Sequence, residues 1–117
     1  MGFGIAQLLD IMKEHQLPLK KIMAVGGGAK NIPWLHMIAD ISGETLNTAR
    51  VTMGAAYGDA LMAALASGRY NSFADFNAVI KPGRVIEPNM KNNELYKPYR
   101  KIFDQLYLNT KDLMHLL

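Results

Sequence analysis

Apolar residues along this chain recur first with a helical period, then as a continuous run, then with a helical period again. Ile5, Leu8, Leu9 and Met12 share one helical face, and Gln7, Asp10, Lys13 and Glu14 occupy the other. This predicts an amphipathic helix that ends at Leu17-Pro18. Lys21 to Val25 follows as an unbroken apolar stretch behind its lysine, the pattern of a strand buried on both faces in a parallel sheet. Pro33 suits the first turn of a second helix and biases Ile32 away from helical angles. Trp34, Met37, Ile38 and Ile41 form the apolar stripe of that helix, and Ser42-Gly43 supplies its stop.

The second half alternates in the same way. Thr45 to Thr48 predicts a short strand, and Thr52 is placed to cap a helix running to about Ser67, with Gly68 as terminator. Small residues dominate that helix. Gly54 and Gly58 fall four apart on one face, and each costs a helix up to roughly 1 kcal/mol relative to alanine. A close-lying backbone or ligand is the expected reason. Phe73, Phe76 and Ile80 predict a short helix closed by Lys81-Pro82-Gly83. Val85-Ile86 and Glu87-Pro88-Asn89 predict an extended segment and a turn. From about Asn92, Tyr96, Tyr99, Phe103 and Tyr107 join Leu95, Ile102 and Leu106 in a long final helix. Pro98 is expected to kink it or reset its start, and its aromatic stripe is expected to be core packing.

Between the first strand and the second helix stand three glycines, Gly26-Gly27-Gly28. Strand, glycine loop and helix in this order present backbone N–H groups to a phosphate or nucleotide in many α/β proteins. The bland alternative is a flexible turn, which one glycine would satisfy. A Walker A loop needs glycine followed by Lys and then Ser or Thr, and Gly28-Ala29-Lys30-Asn31 does not supply that order. The dinucleotide fingerprint wants Gly or Ala where Asn31 stands and an acidic residue at the end of the next strand. The chain offers Leu46-Asn47-Thr48 there.

Composition narrows the class of partner. A net charge of +3 over 117 residues, with no concentrated basic arm, argues against nucleic acid. Lys20, Lys21 and Lys30 bracket the glycine loop in sequence, which suits an anionic ligand. With no cysteine there are no disulfides and no thiolate chemistry, which fits a reducing cytoplasm. Met1-Gly2-Phe3-Gly4 lacks the features of a signal peptide, and Ala60 to Ala66 is far too short to span a bilayer. A cytoplasmic location without membrane association is expected.

The string Val25-Gly26-Gly27-Gly28-Ala29-Lys30-Asn31, then Trp34, Ala39-Asp40 and Gly43, closely resembles the adenosine-binding segment of the FGGY family of carbohydrate kinases. The likeness continues through Val51-Thr52, Ala55-Ala56 and Gly58, and on to Glu87-Pro88-Asn89 and the Tyr96/Tyr99 helix. Within the family it looks most like the xylulose-kinase branch. The resemblance implies an α/β fold, the C-terminal portion of an actin-like (ribonuclease H-like) ATPase lobe, helix-rich with a short parallel sheet. Residues 1–117 would then be a single domain fragment from the end of the second lobe. Gly27 and Gly28 would lie against the adenosine and the nearby phosphate, Asn31 would contact the adenine, and Gly26 and Ala29 would shape the turn.

The same resemblance implies an ATP-dependent kinase that phosphorylates a sugar hydroxyl, xylulose or another pentulose, with ATP and Mg as cofactors. Many members carry an acidic residue where Met53 stands, so a polar contact from that position is in doubt. The phosphate-gripping turn, most of the sugar site and the aspartate base belong to a first lobe that this chain does not contain. Asp40, Asp59 and Asp75 are each expected to be helix-surface carboxylates, so no catalytic or metal-binding residue is assigned. The segment alone is expected to lack kinase activity and, with apolar surface left uncovered, to form a homo-oligomer. The alternative is a non-catalytic α/β binding or assembly module in which the glycine loop is only a turn.

Overall fold

The computed structural model describes residues 1–51 and 54–116. Its elements in chain order are α1 (Gly2–Glu14), β1 (Ile22–Ala24), a 3-10 turn (Gly27–Lys30), α2 (Ile32–Ser42), β2 (Leu46–Ala49), α3 (Ala55–Ala66), a second 3-10 turn (Phe73–Asp75), α4 (Phe76–Val79), β3 (Pro82–Ile86) and α5 (Met90–Met114). Local causes set the end of α1 and both ends of α2. α1 stops with Gln16 in the left-handed region at φ 56° and the Leu17 N–H on the Met12 carbonyl, just ahead of Pro18. α2 starts on the Asn31 side chain, which accepts from the Trp34 N–H at 3.2 Å, and ends on Gly43 at φ 71°.

The three strands form one sheet in the order β1-β2-β3. β1 and β2 are parallel, with Ile22 opposite Leu46 and Ala24 opposite Thr48. β3 adds to the other side of β2 antiparallel, Ile86 opposite Leu46, with a register shift between Asn47 and Ala49. The parallel pair follows the expectation from sequence, and β3 makes the sheet mixed. α2 packs on one face of it. Leu35, Ile38 and Ala39 meet Leu46 and Ile86 in the buried core, with Ile22, Ala24 and Ile5 against its edge. α1 packs against α2, close enough that a Cβ at Gly2 would stand 2.7 Å from Ile41 Cδ1.

Three expectations change. β1 is covered on one face only: Met23 and Val25 are 38% and 62% exposed. α3 stands off that face, leaving an apolar cleft of about 310 Å³ lined by Met23, Val25, Val51, Tyr57 and Leu61 among others. Gly54 is not inside α3 but at its N-cap, at φ 61°. A Cβ on Gly54 would stand 3.4 Å from Gly26 Cα, so a neighbouring backbone does come close there, whereas a Cβ on Gly58 would meet nothing within 4 Å among the described residues. The proposed cap Thr52, together with Met53, lies outside the described residues.

The third change concerns α5. It runs through Pro98 without restarting, and none of its residues is buried. Phe3 of α1 packs between Tyr96 and Phe103, with ring centroids 6.2 and 5.6 Å away. Leu95, Tyr99, Ile102, Leu106 and Tyr107 remain more than half exposed, so the stripe is not core within this chain. Its spacing explains why: residues 95, 99, 102 and 106 turn a second apolar side away from α1.

Candidate functional site

The glycine turn sits where the carboxyl ends of the parallel strands β1 and β2 meet the start of α2, the edge at which open α/β sheets form ligand crevices. Its three glycines have different physical reasons. Gly26 adopts φ 84° and ψ −168°, a conformation that side chains oppose. Gly28 lies under Trp34, and a Cβ there would stand 2.6 Å from Trp34 Cζ3. Gly27 has neither constraint. Its φ is not in the left-handed region, and among the described residues nothing lies within 4 Å of where its Cβ would be.

Around the turn, Ala29 is buried at 4% exposure and its N–H returns to the Gly26 carbonyl at 3.2 Å. The Asn31 N–H returns to the Gly28 carbonyl at 3.0 Å. Asn31 is committed through its Oδ1 to capping α2, which leaves its Nδ2 as the part able to meet a ligand. Of the five residues singled out from sequence, Gly27, Gly28 and Asn31 are exposed, Gly26 is half-buried and Ala29 is buried beneath the turn. Lys30 stays beside it. Lys20 and Lys21 precede β1 and stand at the opposite end of that strand.

The aspartates separate by role. Asp59 is exposed on α3. Asp75 accepts from the Asn71 and Ser72 N–H groups at 2.8 and 3.1 Å, capping its 3-10 turn. Asp40 is not a surface carboxylate. It is 7% exposed and accepts from the Asn89 N–H and from Asn92 Nδ2, both at 2.7 Å. Asn93 Nδ2 adds a bond to the Asp40 carbonyl at 2.8 Å. This cluster fastens the first turn of α5 to α2. Asp40 was out of reach of sequence reasoning because its partners lie about fifty residues away, in a turn whose path the sequence does not show.

No cluster of three or more His, Cys, Asp or Glu side chains suited to a metal ion occurs among the described residues. No helix among them is long and apolar enough to cross a membrane.

An α/β layer with a glycine turn at its strand ends, continued by a long C-terminal helix, is the architecture of the end of an actin-like ATPase lobe. Residues 1–67 match the FGGY family of carbohydrate kinases, C-terminal domain, and the chain belongs to that family. It is 34% identical over 107 residues to a xylulose kinase of Staphylococcus xylosus, covering 87% of this chain and 22% of the relative. To a xylulose kinase of Bacillus subtilis it is 30% identical over 112 residues, covering 95% and 22%. Its fold superimposes on a crystal structure of xylulose kinase from Rhodospirillum rubrum with a TM-score of 0.75 at 22% identity, over 97% of this chain and 23% of that one. The chain thus spans under a quarter of the length of these relatives.

Proposed function

We propose that this chain is the adenosine-side segment of an ATP-dependent carbohydrate kinase acting on a sugar hydroxyl, with xylulose or another pentulose as substrate. The observation that carries the reading is Gly27. Gly26 and Gly28 are explained by backbone angle and by Trp34, but nothing among the described residues requires glycine at 27. A ligand lying flat on the turn supplies the missing reason, because a side chain there would occupy its place. This also favours the kinase reading over a binding or assembly module in which the loop is only a turn.

In this assignment Gly26 and Ala29 hold the shape of the turn, and Gly27 and Gly28 face the adenosine and the nearest phosphate. Asn31 Nδ2 donates to a ring nitrogen of the adenine while its Oδ1 keeps the helix cap. ATP supplies the transferred phosphoryl group, and Mg is held by residues outside this chain, as are the sugar and the base that takes its proton. Residues 1–117 act as one unit of the second lobe, in a cytoplasmic enzyme without nucleic-acid or membrane partners. The exposed side of α5 supports self-association.

Titration of ADP and ATP into the intact kinase carrying this segment tests the reading. Gly27→Val is expected to leave the thermal midpoint of the 117-residue chain within about 2–4 °C, since the site is open, and to weaken nucleotide binding at least tenfold (about 1.4 kcal/mol). Asn31→Ser is expected to keep the cap within a few tenths of a kcal/mol and still weaken adenine-nucleotide binding. Unchanged nucleotide affinity in Gly27→Val would return the loop to a simple turn. Sugar-dependent ATP turnover by the purified 117-residue chain would overturn the division of labour.

A further inference from the structure

A second feature of the same sheet edge is its charge. Lys30 closes the glycine turn, Arg50 follows β2, and Arg84 lies on β3; the three line one open cleft of about 370 Å³ with Ile32, Thr48 and Gly83. No carboxylate among the described residues lines it. Among the described residues none of the three cations is in an ion pair, since every pair involves Lys13, Lys97 or Arg100.

The convergence is built by the backbone. A Cβ at Gly83 would stand 2.5 Å from Thr48 Oγ1 and 2.8 Å from the Ala49 carbonyl carbon, so glycine is what lets β3 come this near. The Arg84 N–H then donates to Thr48 Oγ1 at 2.7 Å, and the Arg50 N–H donates to the Lys81 carbonyl at 2.9 Å. These bonds hold the two arginines at one end of the sheet, beside Lys30 and the start of α2. Like charges gathered without a counter-charge repel one another, and a dianion relieves that repulsion. Guanidinium groups match phosphate oxygens as paired donors, and lysine adds a point charge.

We propose that Lys30, Arg50 and Arg84 form a subsite for a phosphate group. The group belongs either to a phosphorylated small molecule or to the phosphate chain of a nucleotide. The site stands without the adenosine reading, because none of its three cations is part of Gly26-Gly27-Gly28.

The test is a titration of inorganic phosphate into the isotope-labelled 117-residue chain, followed by amide NMR at constant ionic strength. Saturable shifts are expected at Lys30, Arg50 and Arg84, with binding weakened at least about tenfold in the double variant Arg50→Gln/Arg84→Gln. Both side chains are exposed, so the variant's circular dichroism should match the parent; Lys30→Gln gives a second, independent variant. Shifts that never saturate, equal shifts with matched chloride, or undiminished affinity in the double variant would each overturn the site. Adenosine and ADP then identify the source. A response at Arg84 to ADP but not to adenosine assigns the subsite to the nucleotide's phosphates, whereas phosphate binding undisturbed by ADP assigns it to a separate phosphorylated molecule. Loss of any Gly27 response to adenosine, with the phosphate response at Arg84 intact, would count against the adenosine wall alone.

Discussion

The layer formed by α2 and the sheet and the helix α5 each carry an apolar face, but the two faces have opposite surroundings. In the layer, Leu35, Ile38, Ala39, Leu46 and Ile86 are each below 5% exposed. In α5, twenty-five residues carry no buried side chain. The layer is closed by contacts within about sixty-five residues of sequence. α5 is held at its first turn by the Asp40 cluster and along one side by Phe3, while its other side faces outward. The radius of gyration, 17.9 Å, exceeds the roughly 13 Å of a compact domain of about 100 residues. Apolar surface therefore has two meanings in this molecule: where it is covered it sets stability, and where it is open it marks a place for a neighbour.

The sharpest way to break that contrast is to truncate the layer. Leu35, at 1% exposure, sits at its centre, and Leu35→Ala is expected to cost about 2–5 kcal/mol in urea unfolding. A loss below 1 kcal/mol would mean that the layer is not the stabilising core. Next in size is the joint between the two regions. Asp40→Ala removes the acceptor of two charge-assisted bonds at 2.7 Å and is expected to cost about 1.5–3 kcal/mol. Hydrogen exchange should quicken from Asn89 to Asn93 while Leu46 and Ile86 stay protected; uniform loss of protection would show that α5 and the layer are one cooperative unit. The smallest effect on stability is expected at Ile102, 64% exposed. Ile102→Lys should change unfolding by no more than about 0.5 kcal/mol yet reduce self-association in sedimentation. A clean monomer in the parent chain at high concentration would instead remove the support for oligomerisation.

The glycine turn shows how far residues alone carry the argument. The string from Val25 to Asn31 was legible because its order is local: an apolar run, three glycines, and a helix start are fixed within ten residues. The helices α1, α2 and α5 and both strands of the parallel pair were legible for the same reason, since their periods are written in consecutive side chains. Gly54 was misplaced inside a helix because an N-cap at positive φ and a helical glycine look alike in sequence. The Met23 and Val25 face was expected to be covered because an apolar run states what a strand can bury, not what is present to bury it.

What the sequence by itself determined is the set of elements, the glycine turn and the family to which they belong, all of which rest on short-range order. Only the tertiary structure decided which glycine is unexplained, that Asp40 is a buried anchor, that β3 joins antiparallel, and that Arg84 and Arg50 line one cleft with Lys30. The physical reason is the range of the interactions. Asp40 reaches Asn92, and Gly83 fits under Thr48, through contacts between segments far apart in the chain. Such contacts exist only once the sheet has set its register.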